Sequence, residues 1–581
     1  MSNKSYYTKP QSKFALPLNQ WDLIILLLFF GVLVAFVWGA EQMTAPYELG
    51  KQIPISLSPK MLPGYAVSSI IRIAIALLFS LLFTFTIATL AAKSQRAERF
   101  ILPFIDIMQS VPVLGFLSIS ILAFIYLFPG SQLGPECAAI FAIFTSQAWN
   151  IAMSFYQSLR TVPKDLNEAA DMFHLTPWQR FWRLEVPFAT PGLIWNTMMS
   201  ISSSWFFVVA SEAISVNNQN ITLPGIGSYI YKATQESNYQ AIYYAILTMF
   251  IVIIIYDQLL FRPLVAWSEK FKVEANPEVY ADSWFLNLLQ RAKLIQFVFS
   301  FLLNIRDLFT IPFSSREHTP RKISPKIRQA ITWTAITFWN SFLFIGIIAS
   351  CIILARFIYT EVTLSEVIDV FGLGLLTATK IAIMVILCSL IWVPIGVWVG
   401  LRPKTANVVQ LFAQIFASFP ANIIYPVLYV YIVTFHLNID IWTAPLLILG
   451  TQWYILFNVV AGASSLPQDL HLVAQNYGLK GWLWWRKLIL PGIYPYYITG
   501  AMTAVGGSWN ASIIAEVVSS GGQTLLSKGL GSYITQYTTV GDFPRIALGI
   551  AVMSIYVVVI NRLVWQKLYD MAEERFQIGT A

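Results

Sequence analysis

Charged side chains are rare in this chain of 581 residues. Asp, Glu, Lys and Arg together make up 11% of the sequence, where an ordinary soluble domain has about 25%. Hydrophobic residues make up 57%, and they are concentrated in long apolar runs. Several runs approach or exceed the ~20 residues that an α-helix needs to cross a bilayer. The composition therefore argues against a soluble globular protein and indicates an integral membrane protein.

Residues that build metal and redox sites are also few. The three cysteines, Cys137, Cys351 and Cys388, lie in or beside apolar runs and show neither metal-ligand spacing nor an obvious disulfide framework. We interpret them as small buried hydrophobic residues. The four histidines lie in separate segments, at His174, His318, His436 and His471. The sequence therefore predicts no metal site.

Signatures of catalysis are missing from the sequence. It contains no Gly-x-x-x-x-Gly-Lys-Ser/Thr loop, so we do not expect the chain to hydrolyse ATP. It shows no Ser/His/Asp arrangement and no pair of carboxylates suited to acid–base chemistry. We predict no catalytic residues and keep an enzyme embedded in the membrane only as an outside alternative.

Twelve apolar runs divide evenly between two halves of the chain. Because helices satisfy their own backbone in lipid, each run is expected to be a transmembrane helix. The first run is too long for a secretory signal, and Trp38 is too bulky for the cleavage site, so we interpret this run as a retained span. The runs are 23–39, 70–92, 101–128, 138–156, 191–216 and 241–260, then 330–357, 378–400, 408–434, 441–462, 493–518 and 546–564.

Two polar inserts are copies of each other. Residues 162–191 and 466–495 align without a gap, 304 positions apart. In the same register Glu212 corresponds to Glu516, and Gly-Ile-Gly-Ser-Tyr-Ile at 225–230 corresponds to Gly-Leu-Gly-Ser-Tyr-Ile at 529–534. Such a repeat indicates a duplicated unit. Because six spans, an even number, separate equivalent points, we expect two parallel six-helix repeats.

Lysine and arginine near the span ends predict the orientation. They concentrate in the loops that face inward if the N-terminus is inside. Both termini and both inserts are then cytoplasmic, and the net charge of +8 is explained without nucleic-acid binding. Apolar residues in the linker recur at roughly helical spacing between charges, which favours an interfacial helix over a re-entrant span. The predicted segments are a tail 1–19, a first repeat 20–265, a linker 266–328, a second repeat 329–566 and a tail 567–581.

The first insert reads as a short helical elbow. Pro163 begins it, and Glu168 lies in the first turns of a helix, where the dipole favours acid. One such elbow is equally well explained as a solvated loop or as a knob for a cytoplasmic partner. Its duplication at the same length favours the knob.

The inserts resemble the EAA loop of permease subunits of ABC importers. The first copy has Glu168-Ala169-Ala170 but has His174 where the family has Gly. The second copy keeps Gly478 but has Leu472 in place of Glu. The chain looks like two permease domains fused head to tail, similar to the nitrate/sulfonate/taurine class. The coupling residues that the resemblance implies are Glu168, Ala169, Ala170, His174, Val473, Ala474 and Gly478.

The resemblance implies an all-α membrane fold of about twelve spans, like that of type I ABC importers. It implies two cytoplasmic ATP-binding subunits, which hold ATP and Mg²⁺ while this chain binds no cofactor. It further implies an extracytoplasmic solute-binding protein, a bacterial inner membrane, and a small oxyanion such as nitrate, sulfonate, taurine or bicarbonate as cargo. The alternatives are a stand-alone secondary transporter or channel, and a scaffold or sensor that moves nothing.

Charges inside apolar runs are costly and mark candidate sites. Arg72 and Lys380 occupy equivalent places, as do Glu212 and Glu516. We expect cation–carboxylate pairs in both halves, with selection of solute charge in an outer vestibule as the functional alternative. The third and fifth runs are predicted to line the pathway, with close packing through small residues as the alternative. The pathway candidates are Gln109, Ser110, Ser204, Gln414, Ser418 and Ser508.

Overall fold

The computed structural model describes residues 19–43, 53–216, 219–271, 283–292, 296, 341, 344–346, 348–520 and 523–576. Within these ranges the chain is mainly helical. Two antiparallel hairpins correct the expectation of a purely α-helical protein. Half of the predicted span 330–357 and most of the linker lie outside the described residues.

Close packing divides the chain into two compact units. The first is made of Met1–Trp38, Pro163–Pro191 and Gln258–His318. It contains the whole helices Lys164–Met172, Pro177–Arg180, Arg262–Ser268 and Trp284–Arg291. Ser283 caps the last of these by accepting a hydrogen bond from Leu286 N. Of the predicted interfacial helix the structure describes mainly this eight-residue segment, so its placement stays a prediction.

The second unit is made of Gly39–Val162, Gly192–Asp257 and Thr319–Ala581. From the first half of the sequence it contains the helices Leu62–Phe83, Thr89–Lys93, Gln95–Ser110, Val113–Leu127, Leu133–Arg160, Ile226–Gln235 and Tyr239–Tyr256. From the second half it contains Leu364–Gly400, Pro403–Ser418, Tyr425–Thr434, Ile439–Trp442, Ala444–Ile448, Trp453–Ser464, Gln468–Asn476, Gly481–Trp484, Leu490–Ala515, Leu530–Val540, Phe543–Ile560 and Gln566–Phe576. Two helices, Gln20–Met43 and Val186–Ser211, begin in the first unit and end in the second.

Six helices among the described residues are long and apolar enough to cross a membrane. They are Pro59–Lys93, Leu133–Arg160, Pro177–Ser211, Tyr239–Ser268, Leu364–Gly400 and Phe543–Ala572. The bent pair Ile439–Ile448 and Trp453–Ser464 makes a seventh if it counts as one span. Six of the predicted runs therefore correspond to single long helices, by length and composition.

The third run of each half is not one helix. The first copy splits between Gln95–Ser110 and Val113–Leu127, at Pro112. The second copy splits after Ser418, at Pro420. Proline lacks the amide proton and disfavours helical geometry in the preceding residue, which explains both breaks. Each of these runs is therefore a broken helix and not one continuous helix.

The fourth runs differ between the halves. In the first half Leu133–Arg160 is a single helix of 28 residues. In the second half the helices Ile439–Ile448 and Trp453–Ser464 meet at 43°. The break includes Gly450 and Thr451, and it is specific to the second half.

Each fifth helix is followed by a hairpin at the same place in the repeat. Ala213–Val216 pairs with Gln219–Thr222, and Val517–Ser520 pairs with Gln523–Leu526. Five-residue π-helical turns also recur, at Phe181–Glu185 and Trp485–Ile489, and at Asp257–Phe261 and Asn561–Trp565. Asp257 and Asn561 occupy equivalent positions, 304 residues apart, and each opens a π-turn, a feature frequent at functional sites.

Candidate functional site

Arg72 lies at the centre of a buried ion cluster in the first half. Its side chain is 1% exposed. Nε and Nη2 donate to the carboxylate of Glu136 at 2.6 and 2.7 Å, and Nη1 donates to Glu212 Oε1 at 2.7 Å. Ser69 Oγ lies 2.5 Å from Glu212 Oε1 and donates to it. The predicted pairing of Arg72 with Glu212 is present, and Glu136 completes it.

Glu136 is a site residue that the sequence reasoning missed. It lies in the first turn of Leu133–Arg160, two residues before the apolar run assigned there. A buried carboxylate needs a partner, so an acid beside an apolar run was the available signal.

The second half holds the equivalent cluster with fewer charges. Lys380 Nζ lies 3.7 Å from Glu516 Oε1. It donates to Ser527 Oγ at 2.8 Å and to the carbonyl of Lys528 at 2.7 Å. Asp440 accepts hydrogen bonds from Ser527 Oγ and from Lys528 N, so it is linked to Lys380 indirectly, through Ser527 and Lys528. The predicted Lys380–Glu516 pair is therefore present but more loosely held.

Both clusters hold the same glycine turn. Glu212 accepts a hydrogen bond from Gly227 N at 2.7 Å, and Glu516 accepts one from Gly531 N at 2.8 Å. Each carboxylate thereby sits at the N-terminus of a short helix, where negative charge is favoured. A Cβ at Gly225 would lie 2.2–2.4 Å from Glu212 carboxylate atoms, and the turn in the second half is equally tight. The first glycine of each repeated Gly-x-Gly-Ser-Tyr motif therefore leaves room for the buried carboxylate, and the second leaves room for the backbone of the fifth helix.

Because Arg72 and Lys380 are buried against carboxylates, neither is placed to read the charge of a passing solute. Arg72 is bonded to two glutamates, and Lys380 is 8% exposed. The geometry fits the structural alternative: these groups join the second span, the fifth helix and the turn that follows it.

The two inserts form the same elbow. We define the first elbow as residues 163–185 and the second elbow as residues 467–489. Each consists of a nine-residue helix, a tight turn, a four-residue helix and a π-turn that leads into the fifth helix. The fifth helices, Val186–Ser211 and Leu490–Ala515, continue directly from the elbows.

The elbow turn explains the glycine of the EAA pattern. His174 and Gly478 both have left-handed backbones, with φ of 51° and 64°. Leu175 N donates to Ala170 O at 3.1 Å, and Leu479 N donates to Ala474 O at 2.9 Å. This is the Schellman arrangement, in which glycine is favoured because it has no Cβ. His174 adopts the same conformation at a steric cost.

The predicted coupling residues fall on these elbows in two groups. Ala170 and Ala474 are buried, at 4% and 3% exposure. Glu168 and Val473 are exposed, and Ala169 is half-buried. The buried alanines hold each helix in place, while the exposed positions leave a face for a partner.

A cavity of about 70 Å³ lies beside the fifth helices. Ser202 and Ser203 of the first half contribute hydroxyl groups, while Gly507 of the second half leaves space. Thr451, at the break of the fourth run, adds a third hydroxyl. The lining, which within the described chain carries no charged side chain, consists of Ser202, Ser203, Phe206, Phe207, Ala417, Phe419, Ala421, Tyr425, Gly450, Thr451, Tyr454, Gly507 and Ala511.

The pathway candidates divide between this cavity wall and helix contacts. Gln414 Nε2 and Ser418 Oγ donate to Ser202 Oγ at 2.7 and 2.8 Å, directly behind the lining. Ser204 accepts from Gln147 at 2.9 Å, and Ser508 lies 3.0 Å from Thr451 Oγ1. Ser204 and Ser508 are fully buried and do not line the cavity. Their contacts are those of the packing alternative.

Gln109 and Ser110 lie at the end of the helix Gln95–Ser110, just before the break in the third run of the first half. Gln109 is exposed, and the side chain of Ser110 is outside the described part. Gln109 is not among the described residues that line the cavity. The sequence reasoning missed Thr451 and Tyr454, because the break in the fourth run beside them has no counterpart in the first copy.

Comparison with known proteins supplies the family. The sequence model of the family described as "binding-protein-dependent transport system inner membrane component" matches residues 84–262 and 392–565, more than half of the chain. The two matches fall on the two copies of the repeat.

Individual relatives match shorter segments. The bicarbonate transport system permease protein CmpB of Synechococcus elongatus is 22% identical over 205 residues, 35% of this chain and 67% of that protein. The nitrate import permease protein NrtB of Leptolyngbya laminosa is 30% identical over 112 residues, 19% of this chain and 38% of that protein. The glycine betaine/carnitine transport permease protein GbuB of Listeria monocytogenes is 29% identical over 191 residues, 32% of this chain and 58% of that protein.

The family match explains why the chain has two elbows and why its sequence contains no nucleotide-hydrolysis motif, because members of this family are the membrane components of transport systems. The chain belongs to the binding-protein-dependent transport inner membrane component family and is a non-catalytic ABC importer permease that carries the permease domain twice.

Proposed function

We propose that this one chain supplies both permease halves of its importer, as two parallel six-helix repeats of the type I class with twelve spans in all. The observation that carries the proposal is the elbow, which folds identically in both halves and leads directly into each fifth helix. Each elbow engages one of two ATP-binding subunits, and a solute-binding protein delivers cargo from the opposite side. Both termini and both elbows face the cytoplasm of a bacterial cell. ATP and Mg²⁺ are held by the ATP-binding subunits.

Helix continuity supplies the coupling. Pro177–Ser211 runs without interruption from the first elbow past Ser202 and Ser203 to the residue before Glu212. Because an α-helix is stiff along its axis, a push on the elbow moves the hydroxyl groups at the cavity and the carboxylate at the far end together. Closure of the ATP-binding subunits therefore changes the cavity between inward-open and outward-open states.

The proposed cargo is a small oxyanion such as nitrate, bicarbonate, a sulfonate or taurine. Relatives named for bicarbonate and nitrate transport support it. Hydroxyl groups of Ser202, Ser203 and Thr451 offer polar contact without a fixed charge. Selection of the anion then falls to the solute-binding protein. Aromatic residues at the cavity, together with the relative named for glycine betaine, make that zwitterion the second candidate.

Uptake by proteoliposomes tests the proposal. The complex, purified with its ATP-binding subunits, is reconstituted and supplied with its solute-binding protein and with labelled nitrate, bicarbonate or glycine betaine. We expect accumulation that requires internal ATP and persists when ionophores abolish ion gradients. Accumulation that follows a proton or sodium gradient without ATP contradicts the proposal and supports a secondary transporter.

Orientation is tested separately by labelling. Single cysteines replace Phe173 and Tyr477, which are exposed on the elbows, in a background where Cys137, Cys351 and Cys388 are changed to Ser. A membrane-impermeant maleimide should label both positions in inside-out vesicles and neither in intact cells. Labelling in intact cells would place the elbows on the wrong side for any cytoplasmic ATPase.

A further inference from the structure

The two elbows share a backbone but expose different chemistry. Positions 304 residues apart carry Glu168 and Leu472 on the exposed face of the nine-residue helix. Leu472 is 57% exposed. A leucine so exposed on a short polar loop favours burial against a partner. A carboxylate at the same place requires a donor or a cation when it is buried.

The internal bracing of the elbows differs in the same way. In the first elbow Arg180 donates to Asp171 Oδ1 at 3.0 Å and to Asn167 Oδ1 at 2.6 Å. In the second elbow the position of Arg180 is occupied by Trp484, whose ring packs edge-on against Trp485 at 5.9 Å. Aromatic contacts are present in both elbows, among Trp178, Phe181 and Trp182 in the first and between Trp484 and Trp485 in the second. The first elbow has in addition the polar contacts of Arg180, which Trp484 cannot make.

One feature is common to both elbows. Phe173 and Tyr477 occupy equivalent positions and are 79% and 81% exposed. Each is a large ring presented at the tip of the nine-residue helix, next to the left-handed residue. A partner groove for either elbow therefore needs an aromatic pocket, and the two grooves must differ beside it.

We propose that the two elbows dock two different ATP-binding polypeptides. The groove that receives the first elbow carries a cationic side chain opposite Glu168, and the groove that receives the second is apolar opposite Leu472. A single groove cannot serve both elbows equally, because a cation placed for Glu168 is left unpaired and desolvated against Leu472. The inference rests on the proposed function, since it takes the elbows to be the ATPase-coupling surfaces.

Composition of the native complex is the first test. The complex is purified from its own membranes through a tag on this chain, labelled with 8-azido-ATP, and weighed by native mass spectrometry. We expect one permease chain with one copy each of two ATP-labelled polypeptides of different mass. Two copies of a single labelled polypeptide overturn the inference and leave the proposed function standing. The proposed function fails with it only if no ATP-labelled polypeptide is present.

Site-directed crosslinking assigns each partner to its elbow. A photoreactive benzophenone is attached to a cysteine at Phe173 or at Tyr477 in the cysteine-free complex. We expect the two positions to label different ATP-binding polypeptides. Labelling of one and the same polypeptide from both positions overturns the inference.

Exchange of the two differing residues tests the stated chemistry. E168L should lower crosslinking at the first elbow about tenfold, and L472E should do the same at the second, as expected for an unpaired buried group. Asp165 and Asp469 are equivalent exposed acids, so D165N and D469N serve as the matched pair and should have equal effects. Unchanged crosslinking with E168L and L472E combined contradicts the proposed grooves.

Discussion

The two halves of this permease secure the same turn with different charges. In the first half one arginine bridges two buried glutamates, Glu136 and Glu212. In the second half Lys380 lies 3.7 Å from a single glutamate, Glu516. Its shorter contacts are the hydrogen bonds that it donates to Ser527 Oγ and to the carbonyl group of Lys528. The carboxylate on the turn occupies the same place in both. Duplication has therefore kept the acceptor fixed at the helix N-terminus and let the cation and its surroundings diverge.

The same contrast extends to the cavity. Where the first half has Ser202 and Ser203, the second half has Gly506 and Gly507. The first half contributes hydroxyl groups and the second contributes space, next to a fourth run that is broken only in the second half. The wall of the cavity is thus asymmetric in a way that two identical permease chains do not permit.

Removal of the arginine should have the largest effect. R72M leaves Glu136 with only Gln132 Nε2, at 3.5 Å, and strands a buried charge. We expect a loss of about 3–5 kcal/mol in stability, seen as poor expression or early thermal unfolding in detergent. K380M should cost less, about 2 kcal/mol, because Glu516 keeps Thr377 and two backbone donors.

The comparison is sharpened by a double variant. R72M/E136Q removes the stranded charge while Glu212 retains Ser69 and Gly227 as donors. It should recover much of the stability that R72M loses. Equal damage from R72M and K380M, with no recovery in the double variant, would show that the extra glutamate does not distinguish the halves.

The glycine turn should respond alike in both halves. In G225A and G529A the new Cβ would lie 2.2 Å from the nearest carboxylate atom of Glu212 or Glu516. Gly225 has φ of −179°, an ordinary extended conformation, so the cost is steric. Each substitution must displace the carboxylate from its backbone donors, for about 2–3 kcal/mol of lost stability, measured by thermal unfolding. G506A, with nothing within 4 Å of its new Cβ, is the control and should be neutral.

The sequence predicted several features that recur in both copies. The elbows and the Arg72/Lys380 and Glu212/Glu516 pairs are indicated by position, because the same residue types stand at equivalent places. Glu136 also has an acidic counterpart 304 residues on, Asp440 in the second cluster, so the repeat carried a signal there that the sequence reasoning did not use. The fourth-run break at Gly450 and Thr451 has no counterpart in the first half, so the repeat carried no signal for it.

The hairpins were missed for a different physical reason. Residues 213–216 and 517–520 continue the apolar runs without a change in hydropathy. The chain leaves the helix there because the carboxylate turns back to cap the next helix, which is a tertiary contact that local propensity does not encode. Rotation about the fifth helix is also not readable from composition: Ser202 and Ser203 line the cavity, whereas Ser204 and Ser508 are buried in contacts between helices.

Filling the space on the second half's side should slow transport without unfolding the protein. In G507A the new Cβ would lie 2.5 Å from Thr451 Cγ2, so Thr451 must move at the wall of the cavity. Overpacking of this kind costs about 1–3 kcal/mol, so the unfolding temperature should fall while the protein still folds. We expect ATP-dependent uptake to fall several-fold. Its neighbour variant G506A should transport normally, and a normal rate in G507A would show that the cavity is not on the solute path.

The smallest effect is expected at the elbow turns, where the halves differ by one residue in the same left-handed conformation. Nothing lies within 4 Å of a Cβ at Gly478, so the cost of a side chain there comes from φ alone. G478H should therefore destabilise by about 1 kcal/mol, and H174G should be neutral or stabilising by less than about 1 kcal/mol, since glycine relieves strain but gains unfolded entropy. Hydrogen exchange at the amides of Leu175 and Leu479, which close the two Schellman turns, measures each local change. If G478H abolished transport while the amide of Leu479 stayed protected from exchange, the glycine would be required by the docked partner and not by the turn. The two elbows would then differ in their contacts with the partner as well as in charge.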